Sequence, residues 1–163
     1  PPSLILSQAA NESGWGMSRF SQHANNIFGE WTFTPGTGLV PQGRPAGETY
    51  EVKRFPDLYA SIRSYLHNLN THSAYRSMRT LRQKLRREGK PLTGYALAGE
   101  MRFYSTRRDA YVKEIRAMIR GNDLEELNHV NLLPVAKKPQ VETKPERNGL
   151  MSSKDKISRP SKS

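Results

Sequence analysis

The fold of the first part of this chain depends on one segment, Leu4-Ile5-Leu6-Ser7-Gln8-Ala9-Ala10-Asn11-Glu12-Ser13-Gly14-Trp15-Gly16. Its apolar run predicts a helix to about Ser13, with Ser3 as a helix N-cap after two prolines. On that helix Leu4, Gln8 and Glu12 share one face, because residues four apart lie above one another. The segment therefore predicts a carboxylate at the end of an otherwise apolar helix.

Glu12 is a candidate catalytic group because of where it lies. Burial against apolar surface disfavours the charged form of a carboxyl group, and a proton held near neutral pH is what a general acid supplies. The alternative is structural, since Glu12 could instead pair with an arginine or cap a neighbouring helix.

Composition limits the possible functions. The 163 residues include no cysteine, which excludes disulfides and thiolate chemistry, and no apolar run approaches the length of about 18 residues that a membrane span needs. The net charge is +11, and residues 135–163 carry eight Lys or Arg and three acidic residues, a net of +5. Such basic surfaces favour polyanions.

The remaining pattern predicts an α+β fold that is mainly helical. Residues 30–56 are rich in glycine and proline. Two β-prone pieces, 31–33 and 49–55, flank the loop within this segment and predict a small β-hairpin lobe. Helices are expected over residues 18–24, 57–69, 74–87, 92–101 and 107–120, with a turn at 123–127. In the second of these Asp57 is the expected N-cap, and the apolar period runs through Leu58, Ile62, Tyr65, Leu66 and Leu69. After residue 134 few hydrophobic residues remain, so 135–163 is predicted to be a disordered basic tail.

Two further segments carry groups suited to sugars. Asn25-Asn26-Ile27-Phe28-Gly29 offers amide donors and acceptors, although a capping pair explains it equally well. Phe103-Tyr104-Ser105-Thr106 places a phenol before the last helix, and Trp15 could stack on a sugar ring or simply pack in the core.

Taken together, these motifs resemble the glucosaminidase domain of bacterial peptidoglycan hydrolases, glycoside hydrolase family 73. The resemblance rests on Gln8 to Gly16, Asn25 to Gly29, Phe55-Pro-Asp-Leu-Tyr-Ala-Ser-Ile62 and Tyr104-Ser-Thr-Arg-Arg-Asp-Ala-Tyr111, which occur in the family's order. Gly29-Glu-Trp31 and Pro35-Gly-Thr-Gly-Leu-Val-Pro41 are closest to its Bax-like subgroup of Gram-negative bacteria.

This resemblance implies a lysozyme-like catalytic domain over residues 1–134. It implies hydrolysis of the β-1,4 bond after N-acetylglucosamine in peptidoglycan, with Glu12 as general acid and Tyr104 in direct support. Trp15, Asn26 and Phe28 match positions that line the family's substrate groove, and Tyr111 is expected to pack in the core. No cofactor or metal is implied, and a monomer in the periplasm or outside the cell is expected.

The second carboxylate is less well defined. Glycosidases usually use two acids, whose separation sets the stereochemical outcome. Glu48 and Glu51 fall in the predicted return strand, and Glu30 precedes Trp31. Glu51 is favoured as the catalytic partner because it sits inside the strand and not in the turn at Gly47, which leaves Glu48 as a substrate-binding candidate. Solvation of a surface strand is the alternative for both, and catalysis through the substrate's own acetamido group would need neither.

Other classes of function remain as alternatives. His67 and His72 are five residues apart and lack zinc-site spacing. The basic run Arg79 to Arg87, with the tail, could contact anionic surface polymers. A non-catalytic module that uses this run to bind nucleic acid or anionic polymers is the rival hypothesis. A second alternative keeps the same fold but has chitin-like or N-glycan chains as its substrate. Under the favoured hypothesis, nucleic acid is not an expected partner.

Overall fold

The computed structural model describes residues 1–130, and the predicted tail at 135–163 lies outside this part. The described chain is mainly helical with one small sheet, which confirms the predicted class. Its helices are α1 (Pro2–Ser13), α2 (Arg19–Ala24), α3 (Leu58–Thr71), α4 (Arg76–Arg87), α5 (Gly94–Ala98) and α6 (Asp109–Gly121). Two 3₁₀ segments, Ser73–Tyr75 and Leu124–His129, complete the helical part. None of the helices described here is long and apolar enough to cross a membrane.

Helix α1 begins one residue before the predicted cap. Pro2 occupies the first helical turn, where its missing N–H costs nothing. The prediction of Ser3 as N-cap is wrong: Ser3 is fully buried inside the helix, and its hydroxyl accepts a hydrogen bond from the Gly94 N–H at 3.0 Å. A Cβ on Gly94 would lie 2.2 Å from that hydroxyl, so glycine permits the close approach of α1 and α5.

The hydrophobic core lies where α1, α5 and α6 meet α3 and α4. Its fully or nearly buried members are Leu4, Phe28, Tyr65, Leu69, Tyr75, Met78, Leu97, Ala98, Met101, Tyr111, Ile115 and Ile119. On α3 the buried stripe runs through Ser61, Tyr65 and Leu69 at i, i+4 spacing. Leu58 and Leu66 share the predicted apolar period, but they fall beside this stripe and are exposed.

The β-lobe has three strands instead of a simple hairpin: β1 (Trp31–Thr32), β2 (Gly38–Leu39) and β3 (Glu51–Lys53). The returning strand β3 is central and pairs antiparallel with both neighbours, with Val52 opposite Trp31 and Leu39. β2 was not predicted, because its glycine weakens the strand pattern. A Cβ on Gly38 would meet the Val52 carbonyl oxygen at 2.4 Å, so this close approach requires glycine.

Candidate active site

Glu12 lies in the last turn of α1, partly buried. The helix ends directly after it because Gly14 adopts a left-handed conformation (φ 56°). The Tyr111 hydroxyl donates to Glu12 Oε1 at 2.9 Å, and the Asn11 amide donates to the same oxygen at 3.4 Å. Within residues 1–130 no Lys, Arg or His forms an ion pair with Glu12, so the arginine alternative is not what the structure shows.

Glu12 is the outer end of a buried chain of hydrogen bonds that crosses three helices. The Tyr65 hydroxyl on α3 donates to Gln8 Oε1 at 2.5 Å, and Gln8 Nε2 on α1 donates to the Tyr111 hydroxyl on α6 at 2.8 Å. The Tyr111 hydroxyl accepts a hydrogen bond from Gln8 and donates its single proton in a hydrogen bond to Glu12. Satisfied buried networks of this kind fix one geometry, so the position of the Glu12 carboxyl is set from the core outward.

Both phenols of this chain remain neutral donors. Burial is the main cause that raises the pKa of Tyr65 well above its ordinary value, with Tyr75 and Glu12 adding to the shift. For Tyr111, burial again comes first and the Glu12 charge second. From the sequence, Tyr111 was expected only to pack in the core. It is buried as expected, but its hydroxyl also contacts the candidate acid.

An aromatic wall stands beside Glu12. Phe28 stacks on Tyr65 with ring centroids 3.9 Å apart, and Tyr104 stacks on Tyr111 at 5.5 Å. The Tyr104 hydroxyl donates to the Phe28 carbonyl oxygen at 3.3 Å, and burial raises the pKa of this phenol well above its usual value. Two of the predicted site residues, Phe28 and Tyr104, are therefore adjacent to each other.

A hollow of about 430 Å³ joins this wall to the β-lobe. Glu12, Phe28, Gly29, Glu30, Trp31, Tyr65, Asn68, Tyr75 and Tyr104 line it. It shares Glu30 and Asn68 with a second hollow of about 510 Å³ that Lys53, Ser64, His67, Thr71 and His72 complete. The two hollows are therefore adjacent, and their size and polar and aromatic lining suit a small ligand or part of a chain.

Glu30 is the carboxylate that shares this hollow with Glu12, and it was not among the predicted site residues. Lys53 Nζ lies 2.6 Å from its Oε1, and the Ser64 hydroxyl donates to the same atom at 2.9 Å. The available signal was its place directly after the Asn25–Gly29 motif and before Trp31. Both contacts come from residues distant in sequence, and the local pattern does not reveal them.

The two acids of the predicted return strand lie elsewhere. Glu51 is buried, and its carboxylate accepts hydrogen bonds from the backbone N–H groups of Gly36 at 2.9 Å and Gly38 at 2.8 Å. The Gly36 bond, then that of Gly38, with a smaller contribution from Arg44, holds the pKa of the Glu51 carboxyl below its usual value. Glu48 is exposed in the loop after Pro45. Neither residue lines the hollow at Glu12.

Asn26 and Trp15 also lie outside the lining of this hollow. Asn26 is 1% exposed; its Nδ2 donates to the carbonyl oxygens of Glu30 and Lys53, both at 2.8 Å, and its Oδ1 accepts from the Glu30 N–H. Asn26 thus ties the lobe to the helical part. Trp15 is 63% exposed and borders a separate apolar hollow with Leu6.

Residues 1–130 contain no cluster of three or more His, Asp or Glu side chains placed to hold a metal ion. The chemistry that the described arrangement offers is that of one partnered carboxyl beside aromatic rings, with a second carboxylate across the hollow.

Comparison with known proteins gave two positive findings. The family model for Glucosaminidase, described as mannosyl-glycoprotein endo-beta-N-acetylglucosaminidase, matches residues 1–124. Protein bax of Escherichia coli (strain K12) is 33% identical over 122 residues, which cover 75% of this chain and 43% of that protein. The chain therefore spans less than half the length of this curated relative. No solved structure matched significantly, so the lysozyme-like arrangement stays a prediction.

Proposed function

Because the chain belongs to the glucosaminidase family of glycoside hydrolases, we propose that it is an endo-β-N-acetylglucosaminidase of peptidoglycan. The predicted family is confirmed, and the similarity to Protein bax agrees with the Bax-like subgroup. The proposed bond is the β-1,4 linkage after N-acetylglucosamine, and the proposed location is the periplasm or the cell exterior. One observation carries this proposal: the Glu12 carboxyl lines an aromatic hollow and is held by a phenol, and no cation of residues 1–130 forms an ion pair with it.

Glu12 is the proposed general acid. It would protonate the glycosidic oxygen as positive charge develops on the sugar ring being cleaved. Tyr111 would fix the orientation of the Glu12 carboxyl, since its hydroxyl binds Oε1 and leaves Oε2 for the substrate. Phe28 and Tyr104 supply an apolar and phenolic wall, which suits the faces and hydroxyl groups of a sugar ring.

Glu30 is the proposed second carboxylate of the groove. It lines the same hollow as Glu12, and Lys53 and Ser64 hold it in place. Glu51 was favoured from the sequence, but both of its carboxylate oxygens accept hydrogen bonds from backbone N–H groups of Gly36 and Gly38. These bonds support a role in holding the β-lobe together. Attack by the substrate's acetamido group is the competing mechanism, in which Glu30 would orient that group without bonding to the sugar.

The experiment that tests the acid is digestion of purified cell walls by Glu12→Gln, with Glu126→Gln as a control at an exposed carboxylate. A general acid contributes roughly 10²- to 10⁴-fold to a rate, so we expect a loss in that range for the first variant only. Mass analysis of wild-type products should show N-acetylglucosamine at the new reducing ends. Undiminished lysis by Glu12→Gln would contradict the assignment.

The second carboxylate is tested by comparing Glu30→Gln with Glu51→Gln. We expect Glu30→Gln to lower kcat at least about 10²-fold without a change in thermal stability. Glu51→Gln should lower the stability of the lobe, with a loss of activity that follows the unfolded fraction. Full activity of Glu30→Gln would contradict a role for Glu30 in either mechanism, as second carboxylate or as the group that orients the acetamido group.

Basic helix α4 supports a further part of the proposal, contact with an anionic cell-envelope polymer. Six of its twelve residues are Lys or Arg and none is acidic. Such a surface attracts polyanions through charge, with strong dependence on salt.

A further inference from the structure

The largest hollow described in this chain does not contain Glu12. It has a volume of about 890 Å³ and runs along one face of α4. Arg76, Ser77, Thr80, Leu81 and Lys84 recur there at three- and four-residue spacing, which places them on one side of the helix. Phe103, 60% exposed, and Glu100 form the opposite side.

Four of the six cations of α4 fall into two groups. Arg79 donates to the carbonyl oxygens of Leu69 and His72, and Arg82 donates to the Asn70 side chain, so these two hold the end of α3. Arg76 and Lys84 face the hollow. Within residues 1–130 neither forms an ion pair. Two cations with no acidic partner in the described part thus border a groove whose floor is apolar.

This groove adjoins the hollow at Glu12. Tyr75 lines the Glu12 hollow, and the next residue, Arg76, lines the α4 groove. In the same way Tyr104 lines the Glu12 hollow, and the residue before it, Phe103, lines the α4 groove. Neighbouring Cα atoms are about 3.8 Å apart, so the linings of the two hollows lie close together and a long ligand that occupies one is near the other. Eight residues separate Arg76 from Lys84, a distance of about 12 Å along the helix. An extended peptide of three to four residues covers that length at about 3.3–3.6 Å per residue.

We propose that the α4 groove binds the peptide stem of the substrate while the glycan occupies the hollow at Glu12. This inference rests on the proposed function, since peptidoglycan is a glycan with short acidic peptides attached. The stem's carboxylates meet Arg76 and Lys84, its alanine methyl groups meet Leu81 and Phe103, and Glu100 faces an amine on its diamino acid. A bare glycan such as chitin offers no carboxylate for these cations.

The test compares two substrates, peptide-bearing glycan strands and the same strands stripped of peptide by an amidase. We expect the wild-type chain to have the higher kcat/KM on the peptide-bearing strands. The double variant Arg76→Ala/Lys84→Ala should lower that preference about five- to tenfold, through KM, because exposed charge pairs contribute modestly. Lys113→Ala, which removes an exposed cation of α6 that does not line the groove, is the matched control and should keep the preference.

A binding measurement makes the inference independent of catalysis. Titration of the Glu12→Gln chain with the free tetrapeptide stem should show saturable binding that the double variant weakens about fivefold. Hydrolysis of neither substrate, with peptide binding retained, would overturn the proposed function and keep the peptide site. Equal kcat/KM on both substrates, or tetrapeptide binding unaffected by the double variant, would overturn the peptide site. Thermal melts establish that each variant is folded.

Discussion

The Tyr111 hydroxyl has two partners, Gln8 as donor and Glu12 as acceptor. Tyr111→Phe removes both bonds and keeps the ring. We expect kcat to fall about tenfold, because one hydrogen bond of roughly 1.4 kcal/mol no longer holds the acid. We also expect a loss of about 1–3 kcal/mol in the free energy of unfolding, because Gln8 keeps a buried donor without its partner.

Steady-state kinetics and urea denaturation measure these effects. Tyr59→Phe removes an exposed hydroxyl of the same kind and should change neither quantity. A Tyr111→Phe protein with wild-type kcat would show that the bond does not orient Glu12.

At the residue scale, sequence reasoning identified Glu12, Phe28 and Tyr104 as lining groups because each lies in a local motif. It placed Tyr111 only in the core, since the contact with Glu12 spans 99 residues and no local pattern encodes it. Asn26 shows a different limit. Its amide has the donor and acceptor that a sugar would need, yet all of its hydrogen bonds go to backbone groups of the lobe.

Between elements, Asn26 connects α2 to the β-lobe through three hydrogen bonds. Asn26→Ala leaves the Lys53 carbonyl and the Glu30 N–H without these partners in a partly buried place, while the Glu30 carbonyl keeps its bond from the Lys53 N–H. Since each such group costs about 1–3 kcal/mol, we expect a loss of roughly 3 kcal/mol in the free energy of unfolding. Chemical denaturation measures it. Asn122→Ala removes a single exposed bond to Met118 and should cost far less.

The β-lobe should also depend on pH through Glu51. Its pKa is lower in the folded chain than its ordinary value of about 4.5. The carboxylate therefore stabilises the lobe above about pH 4.5, and this contribution is lost as the pH falls through the lower folded value. We expect the lobe to loosen in that acidic range and Glu51→Gln to loosen it at neutral pH.

Trp31 fluorescence reports on this change, since Trp31 stacks on Tyr50 at 4.4 Å in the lobe. The sequence has two tryptophans, so the measurement uses a Trp15→Phe background. A fluorescence transition at the same pH in the presence and absence of Glu51→Gln would assign it to another group.

Element types were predictable where periodicity was strong, as in α3 and α6, and where a cap was explicit, as with Asp57, which accepts from the Ala60 N–H. The predicted strands were too long, and β2 was missed. Its pairing depends on the absence of a side chain at Gly38, and propensity treats glycine only as a strand breaker. Burial of Ser3 and Gln8 was likewise hidden, because it depends on partners in other helices.

For the whole molecule, net charge predicts how strongly the chain binds the proposed cell-wall substrate. Residues 135–163 contribute +5 of the net +11. A chain ending at Pro134 should bind purified sacculi about tenfold more weakly at low salt. The difference should vanish near 1 M salt, where the screening length is about 3 Å.

Sedimentation of sacculi over a salt series measures this binding. Cleavage of a short soluble glycan by the shortened chain is the control and should be unchanged. Equal salt dependence of the two chains would assign the charge effect to α4 alone.

Glu12 and Tyr111 lie 99 positions apart in the sequence, and this separation sets an order of events during synthesis. The candidate acid is made before its phenolic partner, which follows only with α6. β1 likewise waits for β3, its only strand partner in the described chain. A nascent chain thus carries Glu12 before it carries the Tyr111 hydroxyl that binds it, and the hydrogen-bonded arrangement at the candidate acid is complete only once α6 has been made.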